Sequence, residues 1–280
     1  MSGTVYFVDD KYVNKENAFI HVNDIGLLRG YAVFDYLKTY FGKPFRLSDH
    51  IERLQNSARY IGLSIPYSND EIKNICNELL NKNNFAESNI RIVVTGGVGT
   101  DSKSKGNPVL IVTCEPRILM NPEYYTDGIK LKTVEGSREI SLSKTCNYIR
   151  AIDYLDEYRK LGFSEVLYVQ NNKVLECTSS NAFLIKDNTI ITPDTGVLMG
   201  ITRKVIFEIC EKFMSIETRE VELDELLNAD EVFISSTERE IMPVIMIDDK
   251  EISGGKVGEK TKRIHKEFIE YVKSLVWVEK

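Results

Sequence analysis

The chain has 280 residues, 42% of them hydrophobic and 28% charged, and a formal net charge of −6. That length suits one large domain or two smaller ones, and the composition is globular, which excludes a disordered chain. The acidic balance and the lack of a long basic block argue against a nucleic-acid partner, and no apolar run reaches the length of a membrane span.

The first residues carry neither a basic head nor an apolar core, so no secretory signal is expected. Val5-Tyr-Phe-Val8 alternates as a strand, turns at Asp9-Asp10-Lys11 and resumes at Tyr12-Val13. A further strand is expected over Tyr36–Phe41. Asp49 is placed to cap a helix, with Glu52 completing a capping box and Gly62 ending it. Ile51, Leu54, Ala58 and Ile61 recur at helical spacing on that segment. A second helix is predicted over 70–81, and strands over 90–95 and 109–113. The glycine-rich stretch 96–108 between those strands reads as a loop with little reason to be rigid.

Prolines at 116 and 122 and a break in periodicity place an interdomain linker at 116–123, between an N-terminal domain (1–115) and a C-terminal domain (124–280). Beyond it the pattern predicts a strand over 129–134, a helix over 147–161 stopped by Gly162, and strands over 165–169, 182–185 and 189–192. A helix opens at Thr202, a strand spans 231–234, a hairpin turns at Asp248-Asp249, and a charged amphipathic helix runs over 258–275. Strands and helices mix without regular alternation, which favours an α+β fold. Cys76, Cys114, Cys146, Cys177 and Cys210 show no Cys-x-x-Cys spacing and read as reduced thiols of a cytoplasmic protein.

Four features carry chemistry. Lys144 follows an apolar approach and precedes a helix; Glu176 opens Glu176-Cys-Thr-Ser-Ser-Asn181; Gly200-Ile-Thr-Arg203 starts a helix; Ser235-Ser-Thr237 follows a strand. A lysine for a Schiff base, a carboxylate for a pyridinium nitrogen, and helix-opening amides with hydroxyls for a phosphate are the parts that hold pyridoxal phosphate. No metal is implied. Each feature alone has a plainer reading: a solvated lysine, a strand-end glutamate, a threonine cap, a polar turn. Arg53 is either a solvated helix arginine or a charge partner for the phosphate.

The string from Lys144 to Val244, with Gly30-Tyr-Ala-Val-Phe-Asp35 and Asp49-His-Ile-Glu-Arg53-Leu54 before it, resembles the class IV, fold-type IV pyridoxal-phosphate enzymes over nearly the whole chain. These include branched-chain and D-amino-acid aminotransferases and aminodeoxychorismate lyase. The resemblance implies two α+β domains with the cofactor between them, working as a homodimer. It implies Lys144 as the Schiff-base lysine and proton shuttle, Glu176 as the pyridine-nitrogen partner, and Arg53, Ile201, Thr202 and Thr237, with Ser236, as the phosphate cup. Leu198 would pack on the ring face and Tyr148 lie near the 3-oxygen. Phe34 and the 96–108 loop would shape the substrate pocket, the loop reaching the neighbouring subunit's site.

The resemblance departs at the substrate end. Arg91 stands where branched-chain enzymes place a Tyr-x-Arg pair, with Asn89 for the tyrosine, and the Lys144-to-Tyr148 spacing resembles the D-amino-acid group. The 96–108 loop lacks that group's arginine or histidine carboxylate trap. Glu238 and Arg239 replace small residues and face either the pocket or solvent; Met199 replaces a common proline. The expected activity is transamination between an aliphatic, branched-chain-type amino acid and a 2-oxo acid. The alternatives are a D-amino-acid aminotransferase, a lyase of the aminodeoxychorismate type, or a non-catalytic cofactor-binding protein.

Overall fold

The computed structural model describes residues 3–277. The chain divides into two compact units, Met1–Ile118 with Leu142–Asn147, and Leu119–Ser141 with Tyr148–Lys280. Lys144 therefore belongs with the first unit, where the sequence placed it in the C-terminal domain. The reason is local: its segment hydrogen-bonds to a strand edge of the first unit, as described below.

The first unit opens with β1 (Val5–Val8) and β2 (Lys11–Asn14), then α1 (Ile25–Arg29) and β3 (Ala32–Tyr40). It continues through β4 (Lys43–Pro44), α2 (Leu47–Tyr60), α3 (Asn69–Asn83), β5 (Ser88–Thr95) and β6 (Val109–Pro116). The sheet order is β2-β1-β6-β5-β3-β4, with every pairing antiparallel. Period-two alternation turns Val33 and Leu37, Ile90, Ile92 and Val94, and Leu110, Val112 and Cys114 to one face. There they meet Ile51, Leu54 and Ala58 of α2 and Ile72, Ile75 and Leu79 of α3 in a single core.

Helix α2 starts earlier than expected. Its N-cap is Arg46 in the left-handed region (φ 52°), and Asp49 sits inside the first turn, ion-paired with Arg46. The capping box belongs instead to α3, between Ser68 and Glu71. The 96–108 loop is more compact than its composition suggested. Ile25 N–H donates to the Gly97 carbonyl at 3.0 Å and Gly106 N–H to the Gly96 carbonyl at 2.9 Å. Gly97 has a φ of +68°, and a Cβ there would lie 1.8 Å from the Asn107 oxygen, so glycine permits the fold-back.

The second unit runs α4 (Glu123–Asp127), β7 (Ile129–Glu135), α5 (Ile149–Arg159), β8 (Glu165–Gln170), β9 (Lys173–Cys177), β10 (Asn181–Lys186) and β11 (Thr189–Thr192). Then come α6 (Ile201–Cys210), β12 (Ser215–Thr218), α7 (Leu223–Leu227), β13 (Glu231–Ser236), β14 (Glu240–Ile247), β15 (Lys250–Glu251) and α8 (Glu259–Trp277). Its sheet is ordered β12-β11-β10-β13-β14-β7-β8-β9, with β15 on β14, and β9 pairs back onto β10. That return closes β10, β13, β14, β7, β8 and β9 into a ring and removes their free edges. Leu131, Leu167, Ala182, Leu184, Val232, Ile234, Met242 and Val244 belong to its core. Helices α6 and α8 pack on β13 and on each other.

Glu231 caps α8 from a distance, accepting from the N–H groups of Lys260 (3.0 Å) and Thr261 (2.7 Å). A Cβ at Gly258 would lie 1.9 Å from the Glu231 carboxyl carbon, so the cap requires glycine there.

Candidate active site

In the first unit, Leu142–Asn147 runs along the edge of β3 opposite β5. Phe34 N–H donates to the Lys144 carbonyl at 2.9 Å, Cys146 N–H donates to the Ala32 carbonyl at 3.0 Å, and Val33 and Thr145 form an antiparallel bridge. Ser57 of α2 secures the other side. Its hydroxyl accepts from Lys144 N–H at 3.0 Å, and its carbonyl accepts from Ser143 Oγ at 2.9 Å. Both backbone groups of Lys144 are thus engaged.

Lys144 Nζ lies 4.6 Å from the Phe34 ring centroid. Arg91 is partnered across the sheet with Tyr36, and its Cζ lies 5.3 Å from the Phe34 ring and 5.1 Å from the Tyr36 ring. Phe34 therefore gathers both cations by its negative ring face. Burial pushes the Cys146 thiol up to about 11, against the opposing pull of Arg91 and Lys144, which leaves it protonated near neutrality.

Arg53 is not a solvated helix arginine. Its Nε and Nη2 donate to the Asp35 carboxylate at 2.9 and 2.8 Å, and His50 Nδ1 lies 2.7 Å from the same group. Burial would raise the Asp35 pKa, but Arg53 and His50 outweigh it and hold the carboxyl well below its usual range.

In the second unit, Glu176 is buried on β9 and directly faces Asn181 on β10. Glu176 Oε2 accepts from Leu198 N–H at 3.0 Å, while Asn181 Nδ2 donates to the Leu198 carbonyl at 2.8 Å. The two ends of the Glu-x4-Asn motif thereby clamp one residue of the loop that leads into α6. Arg138 Nη1 donates to Glu176 Oε1 at 3.1 Å and supplies the countercharge. Gly200 is the N-cap of α6 and offers no side-chain cap to Ile201 and Thr202, both buried in the first turn. A Cβ at Gly200 would lie 2.2 Å from Asn181 Oδ1, so a side chain there would break the clamp. Tyr148 is half-buried at the start of α5.

The β13–β14 turn carries Ser236, Thr237 and Glu238, with Glu238 exposed. Arg239 is buried rather than facing solvent. Its Nη1 donates to Ser179 Oγ at 2.8 Å and lies 3.2 Å from Glu165 Oε2. Glu165 also accepts from Thr178, from Ser179 Oγ at 2.7 Å and from Val166 N–H at 3.0 Å. The ion pair holds the 178–179 turn and the 236–239 turn together. Tyr125 Oη donates to the Arg239 carbonyl at 3.2 Å, and its ring stacks on His265, whose Nε2 is 3.2 Å from Glu240.

These groups fit a phosphorylated pyridine. The uncapped first-turn amides of α6 and the hydroxyls of Ser236 and Thr237 are donors suited to an anion, and Glu176 is a buried carboxylate held by two donors. Ser180 Oγ and Ser235 Oγ are buried without a hydrogen-bond partner, which marks spare polar capacity around Asn181. Arg138, Glu165, Asp35 and His50 do not stand out in the sequence, because the partner that holds each is distant along the chain. Among the described residues no cluster of His, Cys, Asp and Glu is suited to a metal, and no helix is long and apolar enough to cross a membrane.

The class IV amino-transferase family matches residues 32–247 of the chain. The chain belongs to that family: it is an aminotransferase of the α+β, fold-type IV kind, and pyridoxal phosphate is the family's cofactor. Over 275 residues it is 32% identical to a putative branched-chain-amino-acid aminotransferase of Methanocaldococcus jannaschii, covering 94% of each chain. It is also 32% identical over 282 residues to the D-alanine aminotransferase of Staphylococcus aureus strain N315, covering 96% of this chain and 98% of that one. Among solved structures, the Escherichia coli branched-chain aminotransferase superposes with a TM-score of 0.89 at 26% identity, covering 96% of this chain and 94% of that one. The branched-chain aminotransferase of the archaeon Thermoproteus uzoniensis, solved with norvaline, gives a TM-score of 0.87 at 26% identity, covering 96% and 94%.

Proposed function

We propose that this aminotransferase moves the amino group between an aliphatic, branched-chain-type amino acid and a 2-oxo acid, with Lys144 as the amine that holds the cofactor. The observation that carries this reading is the fixing of Lys144 by β3 and Ser57, with its ammonium over the apolar Phe34 ring. Bound pyridoxal phosphate supplies the electron sink that lets an amino acid's α-proton leave. Lys144 Nζ takes that proton and returns it on the other side of the transfer. Glu176, with Arg138 and Leu198 N–H on its two oxygens, accepts from the pyridine nitrogen and keeps that nitrogen protonated. Ile201, Thr202, Thr237, Ser236 and Arg53 hold the phosphate; Leu198 covers the ring; Tyr148 attends the 3-oxygen. Phe34 lines the substrate side, Arg91 receives a carboxylate, and Glu238 borders the pocket.

A D-amino-acid substrate is the second reading, supported by equal identity to the D-alanine relative. The chain works in the cytoplasm as a homodimer. Five free cysteines support the compartment, and exposed Phe19, Val22 and Leu27 in the first unit support a second copy as cover.

A visible spectrum of the purified holoenzyme, titrated separately with L-leucine, L-glutamate and D-alanine, tests this. Conversion to the pyridoxamine form by L-leucine and L-glutamate is expected. Conversion by D-alanine alone would transfer the assignment to the D-series, and turnover without an oxo-acid acceptor would point to a lyase. Lys144→Ala should abolish the visible band of the bound cofactor.

A further inference from the structure

Asp35 and His50 stand in the two N-terminal motifs, and neither has a role in the reading above. Asp35 occupies an inward position of β3, between Val33 and Leu37 on the face that packs against α2, and it is 0% exposed. An ionised carboxylate persists at such a position only when its charge is met and its oxygens are bonded.

Here both conditions hold. Oδ2 accepts from Arg53 Nε at 2.9 Å; Oδ1 accepts from Arg53 Nη2 at 2.8 Å and from Tyr36 N–H at 2.8 Å. His50 Nδ1, at 2.7 Å, completes the set as a donor, since an ionised carboxylate only accepts. His50 and Arg53 are three residues apart on α2 and so share one helix face. The paired N–H groups fix the plane of the guanidinium as well as its position. With Nε and Nη2 taken, Nη1 has no hydrogen-bond partner among the described residues, and the Arg53 side chain is 12% exposed.

We infer that Asp35 is the positioning residue of the phosphate-binding arginine: it takes Nε and Nη2 of Arg53 so that Nη1 is presented to the cofactor's phosphate. His50 braces the same carboxylate from the preceding helical turn. An arginine held in its binding geometry before the ligand arrives gives up less rotamer freedom on binding, so the affinity gained is that of preorganisation. The inference rests on the assignment of Arg53 to the phosphate.

The test compares the dissociation constants of pyridoxal phosphate and of pyridoxal, which lacks the phosphate, for the wild-type enzyme and its variants after cofactor removal. Arg53→Ala should weaken pyridoxal phosphate roughly tenfold to a hundredfold and leave pyridoxal unchanged, as expected for a lost charge-assisted hydrogen bond. Asp35→Asn should show the same selective loss, and the double variant should bind no more weakly than Arg53→Ala alone. Equal weakening of both ligands by Asp35→Asn would mark a merely structural residue and overturn the proposal, as would unchanged affinity for both. If Arg53→Ala itself shows no selectivity, the phosphate assignment of Arg53 falls, a failure distinct from that of Asp35 alone. Should Asp35→Asn not fold, Asp35→Glu keeps the charge but displaces the guanidinium, and the same comparisons decide.

Discussion

Glu176 holds a charge where solvent barely reaches, and its two oxygens are met by different kinds of donor. Arg138 compensates the charge, while the Leu198 amide fixes direction. Removing Arg138 takes its countercharge from a buried carboxylate, whereas removing both charges leaves only polar packing to repair. Arg138→Met should therefore lower the stability of the enzyme by about 3 kcal/mol, the scale of breaking one side of a buried pair. Glu176→Gln added to it should recover much of that loss. Urea denaturation of the two variants checks the order, and a double variant less stable than Arg138→Met would show that the arginine acts through some other contact. The family resemblance assigns the Leu198 side chain to cover the cofactor ring. Its backbone proves equally informative, because both ends of the Glu176–Asn181 motif bind it.

At the scale of elements, the strong periodic segments were legible and the ties between them were not. The apolar spacing of Ile51, Leu54 and Ala58 shows α2, and alternation shows β5 and β6, because each pattern is local. Short α1, α7 and β12 carry too few residues for a period to register. Lys144 and Glu176 stood out by motif, but the strand edge that receives Lys144 and the burial of Arg239 depend on contacts across the fold. Arg239 shows what such a contact does: its pair with Glu165 joins two hydroxyl-bearing turns, 178–179 and 236–239. Arg239→Met should destabilise the protein by roughly 2–4 kcal/mol by leaving Glu165 buried and unpaired. It should also weaken cofactor affinity through the displaced Thr237. A cofactor dissociation constant unchanged alongside a lowered urea midpoint would confine Arg239 to folding and separate it from the phosphate cup.

For the whole molecule, the Asp35–His50–Arg53 set predicts how stability responds to acid. Burial holds the His50 imidazole below its ordinary value, outweighing the pull of Asp35, with Arg53 and Lys144 acting in the same direction as burial. The Asp35 carboxyl lies below its own ordinary value in the folded state. In both cases the unfolded chain binds the proton more readily, so stability is fully present above the unfolded pKa and falls as pH drops through it. The imidazole contributes its loss from about pH 6.5 downward and the carboxyl from about pH 4 downward. His50→Gln should therefore flatten the decline in urea midpoint between roughly pH 7 and 5 while leaving the steeper decline below about pH 4. Asp35→Asn should flatten the lower limb instead. If His50→Gln reproduced the wild-type profile, the imidazole would bind its proton equally well in the folded and unfolded chain, and the effects of burial and of Asp35 would have to cancel.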